Sequence, residues 1–147
     1  MKQTDNFKFD EANVMNELVY RNLSEDAKRQ ICAWKYGGEY DLYNLPSYEE
    51  MQVRQIGFMN PKSEKNYYGF WDESILVGFV NILEEKEEVF IGIGVNPDLC
   101  NKHYGQRMLL ITYEISKKLY PDKPLYLEVR TWNIRAIKCY QKAGFRI

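Results

Sequence analysis

The stretch LEVRTWNIRAIKCYQKAGF, residues 127–145, decides the fold of this chain. Its first part alternates, and Leu125–Arg130 reads as a strand with Leu125, Leu127 and Val129 on one face. Glu128 points the other way. Asn133 is a good helix cap, Ile134–Ala143 continues as a helix without a breaker, and Gly144 follows where a helix commonly ends. Phe145–Ile147 is expected to begin another strand. Asn133, Ala136 and Tyr140 are spaced i, i+3 and i+7, so they share one helix face. In an isolated helix, a tyrosine on such a face is usually a core residue with a satisfied hydroxyl.

Working back toward the N-terminus, Pro121–Pro124 breaks a helix expected over about Tyr104–Tyr120, where Met108, Ile111, Thr112, Ile115 and Leu119 follow helical spacing. Before it, Val89–Val95 is rich in β-branched residues and reads as a strand. A helix between two strands makes them parallel neighbours joined by a right-handed crossover. Phe90, Gly92 and Gly94 share one face of Val89–Val95. Two glycines on one strand face mark a bulge or a close approach by another group. Residues 96–106 link this strand to the helix start. Free backbone amides there form an anion site, as they do to some degree in every such loop.

Further upstream, Tyr67–Trp71 and Ile75–Leu83 read as strands that pair antiparallel with Val89–Val95 through short turns. Glu17–Asn22 reads as a first strand. Ser24 starts a helix that Gly37 and Gly38 stop, and Ser47 caps a second over Ser47–Ile56. Residues 1–14 are expected to be a flexible extension, leaving 15–147 as a single domain. The sheet is therefore mixed and the class α/β, with antiparallel strands first and a parallel pair later.

Composition narrows the function classes. The chain has 147 residues, of which 45% are hydrophobic and 28% charged, which suits one globular domain with a core of its own. A net charge of −1 favours neither nucleic acid nor an anionic membrane as partner. No apolar run approaches the roughly 20 residues needed to span a bilayer. Cys32, Cys100 and Cys139 are odd in number and widely spaced, as expected of reduced thiols in a cytoplasmic protein. His103 is the only histidine, so a zinc site with several His ligands is ruled out and no metal is implied.

Residues 68–147 resemble the GNAT N-acetyltransferases. VNPDLCNKHYGQRML, residues 95–109, looks like their pyrophosphate loop. In residues 127–145, Leu127, Val129, Asn133, Ala136, Tyr140, Gly144 and Phe145 fit their following motif in register. In the loop, Gly105 fits the last expected glycine. His103 stands where the preceding glycine belongs, Cys100 where Arg or Gln belongs, and Asn101 replaces a frequent glycine. Asn and His tolerate the left-handed backbone better than most residues, so the loop is expected to survive.

The resemblance implies a GNAT fold, acetyl-CoA as cosubstrate and an unidentified amine as acceptor. The cosubstrate would lie where Val89–Val95 and Leu125–Arg130 splay apart. Its pantetheine would pair with the backbone at Ile93 and Val95, and the flat Gly92 and Gly94 would allow that approach, Gly94 within the cofactor site. Cys100, Asn101, Lys102, His103, Tyr104, Gly105 and Gln106 would carry the pyrophosphate, and Asn133 and Ala136 would help to place the cofactor. Tyr140 would donate to the departing thiolate. Glu128 is the candidate base, an arrangement that resembles the ribosomal-protein N-terminal acetyltransferases of this superfamily. Glu87 and Glu88 are weaker candidates for that role. An alternative is a GNAT-like acyl-CoA-binding module that has lost catalysis. The aromatic run Trp34, Tyr36, Tyr40, Tyr43 and Tyr48 is either core or an acceptor pocket. Family members usually continue past the Gly-Phe with two more strands. Here the C-terminal strands are expected to be truncated or replaced by another segment, and an unpaired edge would support a homodimer.

Overall fold

A computed structural model of the chain describes residues 2–3 and 18–146. In chain order the elements are β1 (Lys2–Gln3), β2 (Val19–Asn22), α1 (Glu25–Ala33), α2 (Tyr48–Arg54), β3 (Tyr67–Asp72), β4 (Ile75–Glu84), β5 (Val89–Val95), α3 (Tyr104–Leu119), β6 (Leu125–Tyr126), α4 (Ile134–Lys142) and β7 (Phe145–Arg146). The strands form one mixed sheet in the order β2-β3-β4-β5-β6-β1-β7. β2 through β5 pair antiparallel, β5 and β6 pair parallel, and β1 lies antiparallel to both β6 and β7.

Local chemistry explains the helix starts. Ser24 Oγ accepts from the Ala27 amide at 3.1 Å and Ser47 Oγ from the Glu50 amide at 3.1 Å, which satisfies an orphan donor in each first turn. α1 ends at Ala33, four residues before the first glycine expected to stop it. Trp34 turns extended there, and its indole stacks at 6.3 Å on Phe79. α2 stops at a left-handed Gln55, one residue short of Ile56.

Side chains of β4 alternate between two cores on opposite sides of the sheet. Val80 and Ile82 join Ile91, Met108, Leu109 and Leu125 beneath α3. Leu76, with Phe79 packed against its cluster, joins Ala27, Ile31, Cys32 and Met51 beneath α1 and α2.

The two glycines of β5 have a definite cause. The β4–β5 ladder runs in register from Gly78↔Val95 to Glu84↔Val89, so no bulge interrupts it. Instead the Phe79 ring lies over Gly94, and a Cβ there would stand 2.4 Å from Phe79 Cε1. Gly94→Ala should therefore overpack the strand and cost about 1–3 kcal/mol, read as a lower thermal midpoint.

One expectation lies mostly outside the described residues and another needs correction. The expected extension over residues 1–14 lies mostly outside the described residues, but Lys2–Gln3 forms a strand. It pairs with Arg146 and Phe145 on one side and with Tyr126 on the other, so a segment from the start of the chain takes the place between β6 and β7. The strand expected over Leu125–Arg130 is only Leu125–Tyr126, because its partner β5 departs from it after that point.

Candidate active site

The divergence of β5 and β6 makes the site. Only Val89↔Leu125 and Phe90↔Tyr126 are paired, yet β5 continues to Val95. A cavity of about 680 Å³ opens where the pairing stops. Ile93, Gly94 and Val95 border it on one side, and Leu127, Glu128 and Val129 on the other. The backbone groups of β5 facing this gap are where an extended ligand can add as a strand.

At its far end β5 runs into the loop expected to bind phosphate. Asn96 Oδ1 accepts from the Asp98 amide at 3.0 Å and Asn96 Nδ2 donates to the Leu76 carbonyl at 3.1 Å, which ties the turn to β4. Asn101 has φ 67° and His103 φ 65°, so both non-glycine substitutes take the left-handed backbone. His103 precedes the first turn of α3, and no side chain caps that helix start. Its amides, with the positive end of the helix dipole, point to an anion. Tyr104 Oη donates to Asp72 Oδ2 at 2.6 Å and so anchors the start of α3 to the end of β3. Cys100, Asn101, His103, Tyr104, Gly105 and Gln106 all border the cavity. Lys102 does not: it is exposed, held outward between the two left-handed residues. A Cβ on Gly105 would stand 3.1 Å from Cys139 Sγ and 3.5 Å from Val95 Cγ2, so its lack of a side chain also seats α3 against α4.

α4 supplies the remaining wall. Asn133 Oδ1 accepts from the Ala136 amide at 3.2 Å, the expected cap. Its Nδ2 donates to Tyr43 Oη at 3.1 Å, so the buried amide is engaged on both ends. Ala136 and Tyr140 line the cavity, one and two turns further on. Burial holds the half-buried Tyr140 phenol well above its ordinary pKa, and Cys139 and Tyr43 add to that shift. Burial likewise pushes the Cys139 thiol up to about 11 and raises that of Cys100. Both sulfurs are therefore protonated near neutral pH. Glu128 sits exposed at the rim, while Glu87 and Glu88 lie outside the lining.

A strap over residues 34–45 closes the opposite face. Tyr36 Oη donates to the Val95 carbonyl at 2.6 Å, and the Tyr36 amide donates to Asn44 Oδ1 at 2.6 Å. Tyr40 and Tyr43 pack on Trp132 at 5.6 and 6.4 Å, and the Arg135 guanidinium lies 4.2 Å above the Tyr40 ring. Trp34, Tyr36, Tyr40 and Tyr43 thus line the cavity, and Trp34 also packs on the core beneath α1. Tyr48 lies outside the lining; it is buried in the core beneath α1, with its hydroxyl on Glu25 and Arg29 over its ring. Tyr67, Phe79, Asn81 and Phe90 also line the cavity, and none was singled out from sequence. The cross-strand pairs Phe79↔Gly94 and Asn81↔Gly92 give the missing signal: side chains opposite a glycine fill the space it leaves.

Residues 28–145 match the family described as Acetyltransferase (GNAT) family. Among curated proteins none matches. Solved structures similar to this chain include a chimera of the spermidine N-acetyltransferase SpeG from Vibrio cholerae with hSSAT. It is 19% identical with a TM-score of 0.72, over 87% of this chain and 80% of that one. A domain from Methanocaldococcus jannaschii is 20% identical with a TM-score of 0.67, over 88% of each chain. The ribosomal-protein-S18-alanine N-acetyltransferase from Escherichia coli is 19% identical with a TM-score of 0.56, over 88% of this chain and 77% of that one. At such identities these likenesses speak to fold alone, whereas the family match spans most of the chain. With the splayed strands, the left-handed loop and the Asn133 helix in the arrangement that the sequence motifs imply, the chain belongs to the GNAT acetyltransferase family.

Proposed function

We propose that this protein moves an acetyl group from acetyl-CoA to a primary amine by direct attack within a ternary complex. One observation carries the reading: a single cavity joins the uncapped start of α3, the open edge of β5 and the Tyr140 phenol. In this reading the amides of residues 101–106 hold the diphosphate. The backbone of Ile93 and Val95 pairs with the pantetheine arm, which passes alongside Gly94. The Val95 carbonyl already accepts from Tyr36 but keeps a second lone pair for that arm. Acetyl-CoA supplies an activated thioester. The chain supplies alignment of two bound reactants, which removes most of the entropic cost of their meeting. Asn133 fixes the start of α4 and hence the direction of Tyr140. Glu128 at the rim takes the proton that the amine gives up. Asn101 and His103 keep the backbone a phosphate loop needs, which supports acetyl-CoA binding, the step this reading shares with a binding module without catalysis.

A covalent acetyl-cysteine route is disfavoured by the thiol of Cys139, at about 11, because thiolate is the nucleophile. Cys139→Ala should keep kcat within about twofold, and iodoacetamide near about pH 7.5 should leave Cys139 unlabelled. The function itself is tested by calorimetry with acetyl-CoA together with free-thiol release over a panel of amines. Binding with thiol release supports transfer; binding without release on any amine points to the impaired module. The proposal includes a cytoplasmic setting, consistent with three free cysteines, and a homodimer joined through the outer edge of β7. Sedimentation as a monomer would remove that last part.

A further inference from the structure

We infer that the acceptor of this enzyme is a primary amine carried on an aromatic or apolar body, with the Asn81 amide oxygen accepting an N–H of that amine; this rests on the acetyl-transfer reading above. The cavity passes between the splayed strands and reaches both faces of the sheet. On the α3–α4 face lie the phosphate loop and Tyr140. On the α1–α2 face it is walled by Trp34, Leu45, Tyr67, Phe79 and Phe90, with Asn81 among them. Tyr67 and Phe79 stack at 6.4 Å with their planes 29° apart, and Trp34 lies 6.3 Å from Phe79, so the wall is a continuous set of rings. Ring faces of this kind bind flat apolar bodies.

Asn81 is the polar exception in this wall. Its Oδ1 is buried and has no hydrogen-bond partner among the described residues. A buried carbonyl oxygen without a donor is costly, and a turn of the amide about its broad χ2 would bring Oδ1 to the cavity that Asn81 lines, where it gains a ligand N–H. Asn81 stands opposite Gly92 on the neighbouring strand, beside the gap where β5 leaves β6. A neutral amide orients an amine there without holding it as ammonium, which a carboxylate at this position would do. The nitrogen lone pair stays available for the thioester.

Charge argues the same way. Among described residues lining the cavity, Glu128 is the only acidic side chain, whereas Arg135, Lys138 and Lys142 are cationic. Those cations sit on α4, on the cofactor face, and the acceptor wall holds no carboxylate among its described residues, so a polyamine bearing several positive charges finds no row of acids there. An arylalkylamine carries one amine and an apolar remainder.

The test is thiol release from acetyl-CoA by the full chain with 2-phenylethylamine, tryptamine, spermidine and a tripeptide with a free N-terminus. The arylalkylamines should exceed spermidine and the peptide in kcat/KM by at least about tenfold. Asn81→Leu should raise KM for tryptamine about tenfold with little change in kcat, while acetyl-CoA affinity by calorimetry stays as in the unsubstituted protein. Preference for spermidine or the peptide overturns the inference, as does an unchanged KM in Asn81→Leu. Acetyl-CoA binding with turnover of another amine but of no arylalkylamine removes the inference and leaves the transferase reading standing. Failure to bind acetyl-CoA removes both.

Discussion

Replacing Tyr140 with Phe is expected to lower kcat by about a hundredfold while acetyl-CoA affinity stays unchanged. The thiolate released from CoA corresponds to a thiol of pKa near ~8.5, below the ordinary phenol value of ~10. Burial pushes the Tyr140 phenol higher still. In the proposed mechanism full proton transfer from Tyr140 to sulfur would therefore be uphill, and the phenol would act chiefly as a hydrogen-bond donor to charge that grows on sulfur as the bond breaks. A preorganised donor aimed at developing charge is worth about 10²–10³ in rate. A hundredfold corresponds to about 2.7 kcal/mol of transition-state stabilisation. That contact strengthens only as the thioester breaks, so the loss falls on kcat rather than on ground-state binding. The sign of the pH dependence follows from the raised phenol. Tyr140 stays protonated as pH rises through the ordinary phenol range, so no alkaline loss of kcat belonging to it should appear below about pH 10. A loss smaller than about twofold in Tyr140→Phe would take this residue out of the mechanism.

The second large effect is expected at Gly105. In Gly105→Val, a branched Cβ enters the first turn of α3, where Cys139 Sγ would stand 3.1 Å away and Val95 Cγ2 3.5 Å away. Either α3 moves off α4, or the added methyls turn into the path of the diphosphate. The first response costs about 1–3 kcal/mol of overpacking, and both disturb the amides proposed to hold the phosphates. Acetyl-CoA affinity should fall by about tenfold to a hundredfold in calorimetry, at about 1.4 kcal/mol per tenfold. Gly105→Ala adds only the Cβ and should fall between the two. If Gly105→Val binds acetyl-CoA as tightly as the unsubstituted protein, the start of α3 is not the phosphate site.

The parts legible in the sequence are those fixed by local chemistry. Ser24, Ser47 and Asn133 cap the helices they were expected to cap, because a short polar side chain before a helical run has few other uses. β5 keeps its expected bounds, since its β-branched run pairs in full with β4. The left-handed backbone of the loop was legible from residue type: Asn101 and His103 tolerate positive φ better than most residues, and both adopt it. What sequence missed depends on contacts distant in the chain. The length of β6 is set by where β5 leaves it, which no alternation in Leu125–Arg130 records. The strand at Lys2–Gln3 depends on a gap between β6 and β7 that is made at the other end of the chain. Asn81 reads locally as one polar residue in an apolar strand. Its place beside the cavity follows from the β4–β5 register and from the glycine opposite it.

A crystal structure with acetyl-CoA tests the central claim most directly. The diphosphate should lie on the backbone amides of residues 101–106, the pantetheine along Ile93–Val95, and the thioester sulfur within hydrogen-bond reach of Tyr140 Oη. A cosubstrate bound away from the gap between β5 and β6, or a sulfur beyond the reach of that hydroxyl, would contradict it.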